Sequence, residues 1–379
     1  MRHKTGGSLS GLFAGIALQR LGHDVQIMEC TSSPSLPARG AGIVCGAHVK
    51  AFLDKAGASG DLRVVNTRRL HIDAAGAVVH SEERRQETTS WSLLYAMLRC
   101  LFDGHRGTAS PASRARLYRY GCKVTAFAQT EHKAIEVCFT NEHGVSETAL
   151  VNLLVGADGA NSTIRRLLLP AVQPQYAGYV AWRGTVPATH VSPAVALMCR
   201  DTLCFFSAPG VQMVAYTIPG DDGTLETRCL NWVWYVHYEE GSARLSRLMT
   251  AGDGRRHHVT VPVGRLSSAV VERQRLVANH TLPPQFAELV QQTASPFVQR
   301  IMDVLAPQSV FLDGRILLVG DAVAGLRPHT GSSTDQAAFH VSKMGDYLRG
   351  LIDMDRLQHD IMDYSSNMAL VGRSLGITG

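Results

Sequence analysis

Apolar residues recur at helical spacing near the start of the chain and then give way to a strand-like run. Leu12, Phe13 and Ile16 lie on one face of a predicted helix over residues 9–21, and a short strand is predicted at residues 24–29. A glycine turn, a helix and a strand in this order form half of a βαβ unit that binds nucleotides. The pattern therefore predicts an α/β domain at the start of the chain.

The pattern changes twice further along the chain. Strand signals are dense between residues 176 and 238, which predicts an antiparallel sheet in a second domain. Within it, Trp232 and Trp234 share one face while Tyr235 belongs to the other. Helical periodicity then returns, interrupted by a buried strand that ends at Asp321. The predicted fold class is α/β with an inserted antiparallel sheet.

Composition narrows the class of protein. The chain has 379 residues, of which 45% are hydrophobic and 18% charged, as in a globular protein. A net charge of +5 is too dilute for nucleic-acid binding, and no apolar run is long enough to span a membrane. The eight cysteines form no C-x-x-C pair and no zinc spacing, and the chain begins without a signal-peptide pattern. We therefore expect a cytoplasmic protein with reduced thiols and no metal site.

The first motif that indicates chemistry is "GGSLSG" at residues 6–11. Gly6 suits a tight turn and Gly11 a close approach of helix and strand, but Ser8 stands where a dinucleotide-binding turn places a glycine. Glu29 ends the next strand, where an acidic residue can hold ribose hydroxyls. Taken alone, the motif fits a cofactor site and an ordinary strand-to-helix turn equally well.

Two further motifs follow buried strands. "LLVGADGANSTIRR" contains a turn at Asp158 and Gly159 before a short helix, and by itself fits a well-capped connection. "RILLVGDAVAGLRPHTGSSTDQAA" presents Asp321 at the carboxyl end of a strand, and Pro328 and Gly331 shape a turn into another helix. Ligands of open α/β sheets bind at the carboxyl ends of strands. These motifs therefore indicate a ligand site at one sheet edge.

Together the three motifs resemble those of the FAD-dependent aromatic hydroxylases, the class A flavoprotein monooxygenases typified by p-hydroxybenzoate hydroxylase. The phrases "RGAG", "TSWSLLYAMLR", "YVAWRG", "LNWVWY" and "RPHTG" are similar to the 2,6-dihydroxypyridine 3-monooxygenase-like branch. The resemblance covers nearly the whole chain. It implies a Rossmann-like FAD-binding domain of the glutathione reductase type, an inserted antiparallel β-sheet substrate domain and C-terminal helices.

The resemblance also implies domain limits. The FAD-binding domain would comprise residues 1–65, 86–172 and 283–350, and the substrate domain residues 66–85 and 173–282. Residues 351–379 would form a C-terminal helical segment. Relatives are often dimers, so a homodimer is possible.

A set of cofactor-binding residues follows from the resemblance. They would contact the pyrophosphate, the adenosine ribose, a phosphate charge, the ribityl chain and the pyrimidine edge of the flavin. In chain order they are Gly6, Gly7, Ser8, Gly11, Glu29, Arg39, Arg99, Asp158, Gly159, Asp321, Gly331, Ser332 and Ser333. Backbone amides at the helix start after Pro328 would stabilise negative charge on the reduced flavin.

The implied reaction is hydroxylation of a small electron-rich aromatic or N-heteroaromatic substrate. NADH or NADPH would reduce FAD, and O2 would react through a flavin C4a-hydroperoxide, with water excluded. Arg183, His329 and Pro328 are the candidate catalytic residues, although no base is identified. Residues of the antiparallel sheet that could contact substrate, or simply pack, are Trp182, Phe205, Tyr216, Trp232, Trp234, Tyr235 and His237.

The chain departs from the family pattern at its first strand. The family has an apolar central strand before the first glycine, whereas this chain has "RHKT", and burying three such side chains unpaired would cost several kcal/mol each. Either the first strand is missing from this chain, which would make activity uncertain, or the sheet is built differently and the FAD site is impaired. Ser333 and Asp335 would also disfavour an anionic reduced flavin.

These departures motivate an alternative function. The chain could be a flavin-poor or redox-silent member of the family, acting as a binding protein or a redox-neutral catalyst on an aromatic metabolite. A third hypothesis is a nicotinamide-dependent dehydrogenase, since a glycine turn followed by Glu29 suits NAD. The second strand that ends in Asp321 argues against a dehydrogenase, which has no use for it.

Overall fold

The fold is known from a computed structural model. It describes residues 2–32, 41–58, 63–104, 118–220, 222–224 and 226–377, with residues 2–5 and 377 described by their backbone alone. Within these ranges the strands form three sheets of six, ten and three strands. The predicted α/β class with an inserted, mainly antiparallel sheet is confirmed.

The six-stranded sheet belongs to the nucleotide-binding part. Its strands are β1 (Arg2–Thr5), β2 (Val25–Met28), β6 (Tyr118–Arg119), β10 (Leu153–Gly156), β17 (Val310–Phe311) and β18 (Ile316–Leu318). They lie in the order β17-β18-β10-β1-β2-β6, and all neighbours run parallel except β17 with β18. Every residue of β2 and β10 is buried, as expected of a parallel sheet covered on both faces.

The polar segment at the start of the chain forms a strand. β1 lies between β10 and β2, with Arg2 opposite Leu153 and Val25, and Thr5 opposite Gly156 and Met28. Of the two alternatives, that of a missing first strand is therefore wrong, because residues 2–5 occupy its position in the sheet. Backbone pairing is independent of side-chain polarity, and the apolar strands on either side of β1 supply the burial that holds this part of the sheet together.

Helices cover the six-stranded sheet. They are α1 (Leu9–Arg20), α2 (Ala47–Ala56), α3 (Trp91–Gly104), α4 (Thr163–Leu168), α9 (Ser333–Leu348) and α10 (Met354–Ile377). α1 packs against α3 and α9, so that Leu12, Phe13 and Phe102 lie in the main hydrophobic core. Ser90 accepts a hydrogen bond from the amide of Leu93, so it caps α3.

The ten-stranded sheet is the larger layer. Its strands are β3 (Gly42–Val44), β4 (Val64–Ile72), β5 (Val78–Ser90), β11 (Gln175–Pro187), β12 (Thr202–Ala208), β13 (Val211–Ile218), β14 (Cys229–His237), β15 (Thr260–Val261), β16 (Phe297–Leu305) and β19 (Ala324–Gly325). The order is β15-β16-β11-β14-β13-β12-β4-β5-β3, and β19 pairs with β16. β4 and β12 run parallel, while the other neighbours run antiparallel.

Strand pairing crosses the predicted domain limits. β3 and β16 both pair within the ten-stranded sheet, although they lie in segments that we predicted to belong to the FAD-binding domain. The division into domains itself stays a prediction. A smaller antiparallel sheet of β7 (Lys123–Gln129), β8 (Ile135–Thr140) and β9 (Ser146–Val151) precedes β10.

One face of the ten-stranded sheet is packed by helices. These are α5 (Pro193–Met198), α6 (Ala243–Leu248), α7 (Ser268–Thr281) and α8 (Pro284–Gln292), which contribute Val195, Leu245, Ala278 and Phe286 to a second core. The other face is directed toward the six-stranded sheet and bounds the cavity described next. Among the described helices, none is both long enough and apolar enough to cross a membrane.

Candidate active site

A cavity of about 500 Å³ lies between the two large sheets. Its walls combine the start of α1, the turns after β10 and β18, the start of α9 and one face of the ten-stranded sheet. Ten of the predicted site residues line it together: Ser8, Arg183, Phe205, Tyr216, Tyr235, Asp321, Pro328, His329, Gly331 and Ser333. The separated motifs of the sequence therefore converge on one space.

The glycine turn before α1 has the geometry of a backbone cradle. Gly6 has φ +91°, and a Cβ at this position would lie 2.3 Å from the carbonyl oxygen of Ala157, so only glycine fits. The Gly7 amide donates to Glu29 Oε2 at 2.7 Å, which ties the turn to the end of β2. Ser8 begins α1 without a side-chain cap. The start of this helix is therefore suited to an anion at the cavity wall.

Tyr118 connects Arg99 to this turn. The Arg99 guanidinium group lies 3.8 Å from the centre of the Tyr118 ring, and the Tyr118 hydroxyl donates to the carbonyl oxygen of Gly7 at 2.8 Å. Arg99 Nη2 donates to Asp103 at 3.0 Å, whereas Nη1 is buried and finds no hydrogen-bond acceptor among the described residues. An unsatisfied guanidinium nitrogen is costly, and a phosphate oxygen would satisfy it.

Asp158 caps the helix that follows it. Its carboxylate accepts hydrogen bonds from the Ser162 hydroxyl at 2.5 Å and from the amides of Thr163 and Ile164 at 2.7 and 3.2 Å. These bonds cap α4, so the Asp158 side chain has the structural role that the motif alone also allowed. Ala160 and Asn161, from the same turn, line the cavity.

Arg165 connects the second motif to the third, which sequence reasoning missed. The side chain is 2% exposed and donates to the carbonyl oxygens of Ala160, Ala322 at 3.0 Å and Asp321 at 3.4 Å. Burial lowers the pKa of Arg165, while Asp158 and Asp321 raise it. The neighbouring Arg166 is exposed, so two adjacent arginines that look alike in sequence have different roles.

Asp321 lies in a short turn after β18 and lines the cavity. Burial raises the pKa of the Asp321 carboxyl to about 6. The preceding residue, Gly320, donates its amide to His340 Nδ1 at 3.1 Å, and His340 Nε2 lies 3.1 Å from the Ser365 hydroxyl. Burial lowers the pKa of His340 to about 3, so His340 is neutral and positions the turn. No sequence signal had distinguished His340.

The segment between Pro328 and α9 forms the lower edge of the cavity. Gly331 has φ +64°, and a Cβ there would lie 2.8 Å from Val44, so glycine is required. Ser332 precedes α9 without a side-chain cap, and Ser333 at the first position of this 16-residue helix lines the cavity. The amides at this helix start are therefore suited to an electron-rich ligand group.

His329 is held against two tyrosines. Its Nε2 lies 2.8 Å from the Tyr179 hydroxyl, and its ring centre lies 4.1 Å from that of Tyr235. Burial, and then the charge of Arg327, lowers the pKa of His329 to about 4. Arg327 is itself held by two hydrogen bonds to Asp303, at 2.9 and 2.6 Å. His329 is therefore a neutral polar group at the cavity wall.

Asp335 does not lie at the cavity edge, contrary to expectation. Its Oδ1 accepts hydrogen bonds from the amides of His48 and Val49 at 2.8 and 3.1 Å, so Asp335 caps α2 from a neighbouring helix. The expectation that its charge disfavours a reduced flavin is therefore not supported. The carboxylate is directed along α9 toward another helix start, which sequence spacing could not show.

The ceiling of the cavity is one face of the ten-stranded sheet. Pairing registers align Arg183, Val233, Val214, Phe205 and His71 across five adjacent strands, and all five line the cavity. Tyr216 and Tyr235 lie beside this row; burial raises the pKa of Tyr216 to about 12 and also raises that of Tyr235, despite the opposing charge of Arg183.

Four predicted substrate contacts lie elsewhere. Trp182, Trp232 and Trp234 are 0–1% exposed on the opposite face, and Trp232 Nε1 donates to Thr293 Oγ1 at 2.8 Å. Because successive residues of a strand face opposite sides, neighbours of Arg183 and Tyr235 must point away from the cavity. His237 borders a separate space of about 10 Å³, too small for a substrate. The tryptophans therefore pack in a core, which is one of the two alternatives left open by the sequence, and His237 does not line the larger cavity.

The other predicted residues lie around the cavity or outside the described chain. Gly11 is buried in α1, and Gly159 belongs to the turn that Asp158 caps. Arg39 falls outside the described residues. Sequence reasoning also missed Arg69, Gln86 and Gln212, which line the cavity from β4, β5 and β13. The alternation of "NTRRLHI" in β4 is a signal that could have indicated Arg69.

Known proteins resemble this chain over most of its length. Residues 176–303 match a family model described as FAD binding domain-like. The chain is 30% identical over 358 residues to the 2,6-dihydroxypyridine 3-monooxygenase of Paenarthrobacter nicotinovorans, covering 94% of this chain and 83% of that protein. It is 31% identical over 226 residues to the 3-amino-4-hydroxybenzoate 2-monooxygenase of Streptomyces cremeus, covering 57% of this chain and 52% of that protein.

A solved structure agrees with these relatives. The 2,6-dihydroxypyridine-3-hydroxylase from Arthrobacter nicotinovorans has a TM-score of 0.82 to this chain at 27% identity, covering 98% of this chain and 89% of that one. The fold and the site define a flavin-dependent oxidoreductase. More particularly, the chain belongs to the family of FAD-dependent aromatic monooxygenases, enzymes that use FAD with NADH or NADPH as reductant. The predicted family, cofactor and type of reaction are confirmed.

Proposed function

We propose that this monooxygenase hydroxylates a small aromatic or N-heteroaromatic ring that already carries a hydroxyl group, bound in the cavity between the two large sheets. The observation that carries the proposal is the convergence of three sets of residues on this cavity. They are the start of α1, the Asp321 turn with the start of α9, and the sheet face of Arg183 and Tyr235. The first two suit a cofactor, and the third suits a ring substrate.

The relatives support this substrate class through what they share. One is named for 2,6-dihydroxypyridine and another for 3-amino-4-hydroxybenzoate, and both of these are hydroxylated rings. The cavity walls offer a matching surface, because Val233, Val214 and Phe205 form an apolar strip between polar residues. We transfer only the shared ring chemistry to this chain.

The residues present fit FAD. Gly6 and Gly331 allow tight turns in which a Cβ would collide with Ala157 or Val44, and Arg99 Nη1 is buried without an acceptor among the described residues. We infer that the turn of Gly6, Gly7, Ser8 and Gly11 holds the pyrophosphate with Arg99. The remaining assignments are Glu29 at the ribose, Asp158 and Gly159 at the intervening turn, Asp321 at the ribityl chain, and Gly331, Ser332 and Ser333 at the pyrimidine edge. When bound, FAD supplies a ring that accepts a hydride and activates O2.

The substrate ring would be oriented by three polar side chains. Arg183 offers a positive charge to an anionic ring oxygen, which keeps the ring electron-rich. Tyr216 stays protonated at neutral pH because its pKa is raised to about 12, so its hydroxyl is a hydrogen-bond donor. His329 stays neutral above pH 4 and offers an uncharged polar contact next to Pro328. The apolar strip excludes water, which favours ring hydroxylation over wasteful oxidation of the reductant.

The proposal is tested by the absorbance of the purified protein and by the fate of oxygen. We expect bound FAD to give a yellow protein that NADH or NADPH bleaches, faster in the presence of 2,6-dihydroxypyridine, and 18O from labelled O2 to enter the product. Asp321→Ala should weaken FAD binding at least tenfold, whereas Asp363→Ala, a change of an exposed carboxylate in α10, should not. A folded, colourless protein that binds no FAD would overturn the proposal.

The alternative of a flavin-poor protein has lost part of its motivation. β1 is present in the sheet, and Asp335 caps α2 rather than facing the cavity. The polar sequence of β1 and Ser333 remain as departures from the family pattern, and Ser333 lines the cavity at a helix start. No observation favours a second function over the monooxygenase.

We also propose a cellular location and an oligomeric state for the protein. We expect a cytoplasmic protein, supported by eight cysteines that are all free thiols. Thiol titration of protein taken directly from cells tests this expectation, and oxidised cysteines would contradict it. We also expect a homodimer, which the family resemblance implies, and sedimentation equilibrium would show a single-chain mass if this is wrong.

A further inference from the structure

We propose that the cavity contains an anion subsite built around Arg69, which binds a carboxylate or similar anionic substituent of the substrate ring. The inference rests on the proposed function and names the substrate class more narrowly, as a ring acid. It concerns the end of the cavity formed by β4, away from Arg183. Sequence reasoning assigned no role to this strand.

The register of the sheet places Arg69 within reach of a bound ring. Arg69 pairs with Leu203 on β12, and Leu203 pairs with Tyr216 on β13, so the three lie in one row on the cavity face. Strands lie about 4.8 Å apart, which puts β4 roughly 10 Å from β13. A ring that contacts Tyr216 would therefore direct a substituent toward Arg69.

Arg69 is the cation of this row, and its guanidinium group is only partly satisfied. Nη2 donates to Gln86 Oε1 at 2.8 Å, and Nη1 lies 3.7 Å from Glu82, whose side chain is 40% exposed. Nε is buried and has no acceptor among the described residues. A buried donor without a partner destabilises the protein, and a ligand oxygen would remove that penalty. Burial, followed by Arg84, lowers the pKa of Arg69, which a bound anion would reverse.

Phe205 holds this guanidinium group in place beside the cavity. Arg69 Cζ lies 5.6 Å from the centre of the Phe205 ring, and the His71 ring stacks on Phe205 at 5.2 Å with an interplanar angle of 18°. Burial and the neighbouring His80 lower the pKa of His71, so His71 adds a neutral hydrogen-bonding group. The three side chains form a wall that combines an aromatic surface with a charged fork, which suits a flat ring acid.

The charge of the cavity wall favours an anion. Of the described residues that line the cavity, Asp321 alone carries a carboxylate, and it lies in the turn assigned to the cofactor. Of the three arginines in the wall, Arg300 is paired with Glu240 at 2.8 Å. Arg69 and Arg183 therefore bring positive charge to the substrate end of the cavity.

The test measures ligand binding to the FAD-loaded protein by calorimetry, which needs no turnover. One pair of probes is 2,6-dihydroxypyridine and its 4-carboxylate, and a second pair, 2-hydroxypyridine and 6-hydroxynicotinate, moves the carboxylate to another ring position. We expect the acid of at least one pair to bind about tenfold or more tightly than its partner without the carboxylate, because an additional charge-assisted hydrogen bond is formed. Arg69→Gln should abolish this preference and leave binding of the probe without the carboxylate unchanged.

Two variants serve as controls. Arg68→Gln removes the same charge from an exposed residue on the opposite face of β4 and should keep the preference. Arg69→Lys keeps the charge without the planar guanidinium group and should retain part of the preference for the acid. Absence of any preference in both probe pairs, or a preference that survives Arg69→Gln, would overturn the subsite. A preserved preference without hydroxylation would instead count against the proposed function alone.

Discussion

The two faces of the ten-stranded sheet use aromatic residues for opposite purposes. On the face toward α5–α8, Trp182, Trp232 and Trp234 are 0–1% exposed and belong to a closed core. On the other face, Tyr235 and Phe205 border an open cavity together with arginines. The same strands supply both sets, because alternate residues point in opposite directions.

The two faces of the sheet differ in the sequence signal that identifies them. Aromatic content does not identify the cavity face, since the three tryptophans are the largest side chains of the sheet and lie outside the cavity. A charged residue in an otherwise apolar strand is more informative, because burying a charge without function is costly. Arg183, in the mainly apolar part of β11, obeys this rule, whereas Arg69 lies in a strand with several other polar residues.

The largest expected effect concerns the closed face. Trp232→Ala should lower the free energy of unfolding by about 3–5 kcal/mol, because it leaves a cavity and removes the bond to Thr293. Tyr235→Phe on the cavity face should change it by less than about 1 kcal/mol. Urea denaturation of both variants measures the contrast. Equal losses of stability would mean that the two faces do not differ as the structure indicates.

The next prediction concerns pH. The pKa of His329 is about 4 in the folded protein and near 6.5 when unfolded, so the unfolded state binds more protons between these values. Its contribution to stability is therefore complete above pH 6.5 and lost as the pH falls toward 4, by about 3 kcal/mol at most. His329→Gln should flatten the pH profile of the unfolding free energy by this amount.

The pH experiment compares the profile of the wild type with that of His329→Gln, so the effects of other titrating groups are controlled. Asp321, with its raised pKa, acts in the opposite direction below pH 6, and His340 acts in the same direction as His329. Both are present in wild type and variant, so their contributions cancel. Parallel profiles for the two proteins would show that His329 is not held neutral against Tyr179 and Tyr235.

A smaller effect is expected at the polar end of the cavity. Arg183→Gln should weaken binding of 2,6-dihydroxypyridine about tenfold, because an anionic ring oxygen loses a charged partner. The melting temperature should stay within about 2 °C, since the side chain faces the cavity rather than the core. Calorimetry and thermal unfolding of the same preparation separate the two quantities. Unchanged binding would remove Arg183 from the site.

The smallest effect tests the corrected role of Asp335. Asp335→Ala should cost about 1 kcal/mol of stability through loss of the cap on α2. The midpoint potential of bound flavin should not change, because the carboxylate is directed to another helix. A clear rise of the potential in the variant would restore the original expectation that Asp335 opposes the reduced flavin.

Much of the fold and part of the site could be predicted from the chain. Local sequence patterns were sufficient to predict the helical periodicity, the buried strand before Asp321 and the alternation of β14. Each of these features depends on residues that are neighbours in sequence. Ser8, Asp321 and Gly331 were identified through motifs whose spacing is set by local turns. Arg165, His340 and Arg69 were missed because their partners lie far along the chain.

By itself the sequence determined the class of fold, the family and the turns at which we propose that a dinucleotide binds, because these follow from local periodicity and from residues a few positions apart. Only the tertiary structure decided that "RHKT" forms the central strand, that Asp335 caps α2 and that the tryptophans turn away from the cavity. Each of these depends on which segments pack together. Which segments pack together depends on the burial of apolar surface over the whole chain, and a local sequence pattern does not contain this information.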